Sequence, residues 1–385
     1  MSGSSAVGWK SNSRRVRAWI CAAVGVGLLG AAAVVPHTHG QAASAQSAAA
    51  TGAQAQPKSQ ATPEKDTCAT CHAGVVNSFA HASMRHAIET PGNNPVLDKH
   101  PDLTVKMGPY SYHIQTRNGQ STYTVTDGTD SMTLPMHWDF GHNSQTWVLE
   151  KDGALYESLV SYFPLINGLG TTPGDQKLVP HTLTEAMGRK LSVWEVRSCF
   201  NCHGTHALDG EKLLLATLSP GVGCARCHVG ALQHQADAER NNYSTLPRAL
   251  KKMDAESVSN FCGQCHRTWD VVVRNHWHGP AFVRFQPYRL ESSKCFVGND
   301  PRISCLACHN PHQPLRHDEA FFDSRCMACH GPAKPNSNLA MYKTCPVSKT
   351  NCISCHMAKV NLPGGHQEFT DHYIRIVREG EPYPD

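Results

Sequence analysis

Seven times in 385 residues the chain repeats the pentad Cys-x-x-Cys-His, and no other feature limits its folding so tightly. The repeats begin at Cys68, Cys199, Cys224, Cys262, Cys305, Cys326 and Cys352. With 17 cysteines and 24 histidines, chance alone gives roughly 0.05 such pentads in a chain of this length. The spacing is that of covalent heme c attachment. Two thiols form thioethers along one ring edge, and the histidine that follows supplies the proximal nitrogen to iron. Zinc sites pair Cys-x-x-Cys units but have no need of histidine at the next position every time. A redox disulfide needs one motif, not seven. The expected thioether cysteines are therefore Cys68, Cys71, Cys199, Cys202, Cys224, Cys227, Cys262, Cys265, Cys305, Cys308, Cys326, Cys329, Cys352 and Cys355, and the proximal ligands are His72, His203, His228, His266, His309, His330 and His356.

Seven hemes also want seven sixth ligands, and two histidines on one iron give a lower potential than histidine with methionine. His234 lies six residues after His228, His312 three after His309, and His206 three after His203. A side chain so close to a proximal histidine cannot reach the far face of its own heme, so each of these is expected to serve a neighbouring iron. His372 ends the segment Phe369-Thr-Asp-His. His86 follows the first motif, with His81 and Met84 as rivals, and His276 forms a close pair with His278. His113, His137, His142 and His181 compete for any remaining place, against the plainer role of surface or core histidine. Cys295 and Cys345 are left over from the motifs; they can pair as a disulfide or remain two buried thiols.

Around the motifs the chain divides into a leader, residues 1–45; a linker, 46–66; a first-heme region, 67–198; and a six-motif region, 199–385. Arg14, Arg15 and Arg17 precede an uncharged apolar run, Ala18 to Val35, and Ala43-Ser-Ala offers a small-residue cleavage site. This pattern reads as a signal peptide, or as an N-terminal membrane anchor if uncleaved. Export to the periplasm or the outer face of the inner membrane follows from either. The linker, rich in Ala, Gln, Ser, Thr and Pro, is too polar to bury a core. Lys10 and those three arginines account for the formal +4, because the remaining 31 basic residues balance 31 acidic ones. No surplus of Lys and Arg remains to neutralise phosphates, so nucleic acid is excluded as a partner.

Between residues 103 and 165 the sequence alternates and carries two hairpin signals, Asn118-Gly119 and Asp152-Gly153. A small antiparallel β-subdomain is expected there. Aromatic residues are only 7% of the chain and apolar ones 40%. From that thin supply the expectation is a mostly α and irregular fold packed around its hemes, with the β-subdomain as an insert.

Several stretches resemble the multiheme cytochrome c superfamily that includes the nitrifiers' tetraheme cytochrome and hydroxylamine oxidoreductase. Cys224-Ala-Arg-Cys-His-Val-Gly-Ala-Leu-Gln-His234 is similar to the family's Cys-His-Gly-Pro-Gly-x-x-His, although Val229-Gly-Ala departs from Gly-Pro-Gly. Cys305-Leu-Ala-Cys-His-Asn-Pro-His312 is similar to Cys-His-x-Pro-His, and Cys352-Ile-Ser-Cys-His356 with His372 to the terminal heme signature. The resemblance spans most of residues 67 to 376 and implies a multiheme fold. It leaves three functions open. The first is an electron relay between a quinol-linked dehydrogenase and a terminal reductase. The second is a multiheme reductase or oxidase of a small nitrogen or sulfur compound, with one open iron. The third is a subunit of a cytochrome filament or respiratory complex. Relatives that mark a catalytic heme with Cys-x-x-Cys-Lys have no counterpart here.

Overall fold

The computed structural model describes residues 64–331 and 344–384. The leader and most of the linker lie outside these residues. The first described element, the helix Glu64–Phe79, already begins within the linker's last residues.

The main body is an antiparallel sheet of eight strands. In chain order these are β1 (Ile88–Glu89), β2 (Asp102–Met107), β3 (Tyr110–Arg117), β4 (Gln120–Thr126), β5 (Ser131–Phe140), β6 (Thr146–Lys151), β7 (Ala154–Ser158) and, after a separate hairpin of β8 (Val160–Phe163) and β9 (Gly168–Thr171), β10 (Gly188–Lys190). Seven of the eight run in the order β10-β7-β6-β5-β4-β3-β2, and β1 pairs with β5. Both hairpin signals form tight turns. Asn118 and Gly119 take φ of 54° and 72°, and Asp152 and Gly153 take 51° and 71°. Two successive left-handed residues match the twist of the flanking strands, which is why Asn-Gly and Asp-Gly stand there.

Alternation decides which face is buried. In β3 the buried positions are Tyr110, Tyr112, Ile114 and Thr116; in β4 they are Ser121, Tyr123 and Val125. The apolar ones among them, Tyr110, Tyr112, Ile114, Tyr123 and Val125, join Trp147, Leu149, Tyr162 and Met187 in one core cluster. A second cluster joins Ile88, Phe140 and Val148 to Leu191, Phe200 and Leu218. There the sheet packs directly on the helix Val193–His203, which carries the second motif. Trp138 and Phe140 meet the Phe200 ring edge-on at 5.7 and 5.3 Å.

The expected mostly α, heme-packed architecture is therefore corrected. The fold is mixed, and the clusters of buried apolar side chains belong mainly to a large sheet that runs from Ile88 to Lys190, well beyond the 103–165 insert. Whole-chain composition misled, because the first 60 residues are Ala-rich and hold only Trp9 and Trp19, while the strands of the sheet are richer in aromatic residues than the chain as a whole. Beyond the sheet the helices are short, and hairpins such as Lys359–Asn361 with Glu368–Thr370 link them. Among the described residues no helix is long and apolar enough to cross a membrane.

Candidate heme sites

Each motif is built on a helical turn. Three of them end well-capped helices: Val193–His203, Ala255–His266 and Glu319–His330. The first starts with a capping box, in which Ser192 accepts from the Glu195 backbone and Glu195 accepts from that of Ser192. Asp254 and Asp318 cap the other two. A helical turn puts the two cysteines, three residues apart, on one face. The histidine after them ends the helix or lies just past it; in Glu64–Phe79, His72 breaks the helical geometry at φ −116°, ψ 33°.

Three pairs of imidazoles from different motifs face one another. His72 and His234 have ring centres 6.4 Å apart, His228 and His312 5.8 Å, and His309 and His372 6.1 Å. The separations suit an iron held between two rings. A metal–imidazole bond of about 2 Å, with the nitrogen about 1 Å from its ring centre, sets trans rings about 6 Å apart. Each pair matches the first, third or fifth proximal histidine with one lying beyond a later motif. The spacing argument covered His234, His312 and His206; the structure puts His234, His312 and also His372 opposite the proximal histidines of other motifs.

The chemistry of these rings also suits iron. His234 Nδ1 donates to the Thr245 carbonyl at 2.6 Å and His372 Nδ1 to that of Thr370 at 3.0 Å. Among the proximal residues, His203 donates to Ala87 O at 2.7 Å and His356 to Arg375 O at 3.1 Å. Such bonds fix the tautomer and leave Nε2 with its lone pair. Burial pushes His372 down to about 4, and burial likewise lowers His203, His266, His309 and His312. These histidines are therefore neutral at neutral pH, the form that iron ligation requires.

The motifs also touch through their thiols. Cys202 lies beside Cys265, Cys262 beside Cys305, and Cys326 beside Cys352. Asp323, on the helix of the sixth motif, accepts from the backbone N–H of Asn351 and Cys352 at 2.6 and 2.8 Å, and so holds the start of the seventh. Burial pushes the Cys199 and Cys308 thiols up to about 11.

Among the described residues His86 and His276 are not brought opposite a proximal histidine. His86 has both nitrogens engaged, one by Glu89 at 2.5 Å and one by the Ala80 carbonyl at 2.8 Å, and its ring stacks on His142 at 5.0 Å. His276 is exposed, on a left-handed residue of φ 50°. His206 also has a positive φ, 57°. For His203, His266 and His356 the described residues provide no ring pair like the three above. Cys295 and Cys345 are not joined to each other; Cys295 stands near Cys326 and Cys329. The buried Arg289 clamps Asp371 beside His372. Nothing in the spacing marks that pair.

Comparison with known proteins then gives one result. The family model described as cytochrome c554 and c-prime matches residues 177–229, which hold the second and third motifs. This match supports a c-type cytochrome. Heme c bound covalently and a part in electron transfer go with it. The matched stretch is much shorter than the 67–376 span of the resemblance. No curated protein and no solved structure matches.

Proposed function

We propose that this c-type cytochrome is an exported electron relay with seven covalent hemes, passing electrons between respiratory redox proteins such as a quinol-linked dehydrogenase and a terminal reductase. The observation that carries the reading is the set of three cross-motif histidine pairs at 5.8–6.4 Å. Bound heme supplies a one-electron iron couple at each motif. The chain's own residues set the order of the sites. His234 follows the third motif and faces the first motif's His72. His312 follows the fifth motif and faces the third's His228. His372 follows the seventh motif and faces the fifth's His309. Each pairing ties one motif to the next but one and so fixes a series of close neighbours. The thiol contacts join the second motif to the fourth, the fourth to the fifth and the sixth to the seventh.

Mass spectrometry of the mature protein, made in a host competent in cytochrome c maturation, should find seven covalent hemes and a new N-terminus near Gln46. A heme-free, zinc-bearing product would end the reading. An oxidoreductase acting on a small nitrogen or sulfur compound is the second reading, favoured by His203, His266 and His356, which face no second imidazole among the described residues. Electron paramagnetic resonance of the oxidised holoprotein separates the two. Low-spin iron throughout supports the relay, and a high-spin ferric component supports an open site.

A further inference from the structure

Between the third and fourth motifs the chain leaves the helix Ala231–Ala238 and runs through residues 239–249 without helix or strand. Hydrogen bonds nevertheless hold this stretch at both ends. At the helix end Asn241 takes a left-handed φ of 59°, and the N–H groups of Arg240 and Asn242 both donate to the Asp237 carbonyl, at 3.0 and 2.9 Å. The chain reverses there. At the far end the Arg248 N–H donates at 3.1 Å to the carbonyl of Val229, the residue after His228. The stretch is thus a strap that runs back along its own helix.

Thr245 lies partway along the strap, and His234 at the middle of the helix. Asn241 to Ser244 are exposed, whereas Thr245 is half-buried. Its carbonyl accepts from His234 Nδ1 at 2.6 Å. The course of the chain just before it is set by Asn242, whose Oδ1 accepts from the Ser244 N–H at 3.2 Å and from the Ser244 hydroxyl at 2.7 Å. On the helix side Asp237 Oδ1 accepts from Gln233 at 3.0 Å and Arg240 at 2.6 Å, and the Thr245 hydroxyl bonds to the same carboxylate.

His372 finds its carbonyl acceptor two residues away, at Thr370. His234 depends on one eleven residues further on, in an irregular stretch, so the conformation of the strap decides whether that acceptor is present. An acceptor on Nδ1 fixes the orientation of a ligating imidazole and makes its other nitrogen more basic. A more basic ligand favours ferric iron and lowers the potential.

We propose that residues 239–248 are a positioning strap for the first heme, in which Asn242, through the Thr245 carbonyl, orients His234 toward His72 and lowers that heme's potential. The proposal rests on the relay reading, in which His72 and His234 share one iron. Asn242 is a positioning residue and acts only through Thr245. The test is potentiometric titration and electron paramagnetic resonance of oxidised holoprotein carrying Asn242→Ala, Asn242→Asp or His234→Ala, with heme counted peptide by peptide by mass spectrometry. Asn242→Ala should keep every covalent heme, raise one midpoint potential and shift one low-spin signal, because that signal depends on the angle between the two rings, 40° here. Asn242→Asp keeps an acceptor for Ser244 and should restore both. If Asn242→Ala keeps wild-type potentials and signals while His234→Ala gains a high-spin component, the strap is overturned and the ligation stands. If His234→Ala leaves every iron low-spin, or the Cys68–Cys71 peptide carries no heme, the shared iron itself is overturned and the strap with it. Should Asn242→Ala lose heme, Ser244→Gly takes its place, because it removes the hydroxyl arm of the turn and keeps the N–H arm. A smaller shift of the same sign is then expected, and no shift overturns the proposal.

Discussion

His312 stands three residues beyond His309 yet faces His228, with the two rings only 4° from parallel. If it completes an iron site, His312→Ala opens one position there. The variant should keep every covalent heme, gain one high-spin component and raise one midpoint potential. Unchanged low-spin spectra would make His312 a bystander. A second residue-scale expectation concerns Asp139 on β5, which is buried against Asn94 and Glu89. Asn94 donates to its Oδ2, and its Oδ1 has no partner among the described residues. Burial pushes it up to about 7; the Asn94 bond lowers it and Glu89 raises it. The folded state thus holds a proton that the unfolded chain releases near pH 4, so stability falls as pH rises from about 4 to about 7 and then levels off. The total is on the order of 4 kcal/mol. Asp175, pushed up to about 6 by burial and Glu157, acts in the same direction. Urea midpoints at pH 5 and pH 8 should converge in Asp139→Asn, and a wild-type slope in that variant would exclude Asp139 as the source. At this scale the sequence was legible in part. Reach pointed His234 and His312 away from their own motifs, and both rings lie opposite other motifs' histidines, while the same argument for His206 has no match among the three ring pairs. His86 looked equivalent by spacing, but Glu89 and the Ala80 carbonyl claim its ring, and that competition exists only once the chain has folded.

At the scale of elements, the C-terminal segment is held by one buried ion pair. Arg289, on the helix Gln286–Glu291, donates through Nε and Nη2 to both Asp371 oxygens at 2.8 Å, and through Nη1 to the Pro384 carbonyl at 2.9 Å. Tyr383 lies over its guanidinium at 4.5 Å. Both charges are almost fully buried, at 1% and 3% side-chain exposure. Removing one partner leaves the other unpaired in the interior, which costs roughly 3–5 kcal/mol. Asp371→Asn should lower stability by that order in urea unfolding and loosen His372, which is adjacent in the chain. A loss below about 1 kcal/mol would show that water already reaches the pair. The element boundaries explain what could be read ahead. Asn118-Gly119 and Asp152-Gly153 demand left-handed turns, so their hairpins were plain. β5 was not, because Pro135 stands within it, its register shifts between Met136 and Trp138, and none of Ser131 to Pro135 is buried. β10 has only three residues, and it joins the sheet through pairing with β7 rather than through any pattern of its own.

For the whole molecule, the consequential finding is that the sheet and the second motif share a core. Were the region from 103 to 165 a mere insert, its removal would leave the hemes of the second to seventh motifs intact. The structure argues otherwise. Phe200, the residue after Cys199, is fully buried against Trp138 and Phe140 of β5, and the Phe140 ring also meets the His203 imidazole at 5.1 Å. His203 in turn donates to the Ala87 carbonyl, one residue before β1. Excising 103–165 strips the apolar wall from that helix while leaving the contact of Asp323 with the seventh motif untouched. Phe200→Ala makes the same point with a smaller change, because a buried Phe→Ala substitution costs about 3–5 kcal/mol, part of it from the cavity left behind. Peptide mass spectrometry of either variant should show heme loss concentrated at Cys199–Cys202, with the peptides of Cys326–Cys329 and Cys352–Cys355 still fully loaded. Equal loss at all motifs would mean that the sheet supports the heme region as one cooperative unit. No loss at Cys199–Cys202 would mean that the aromatic contact only fills space, and that the second motif is held by its capped helix alone.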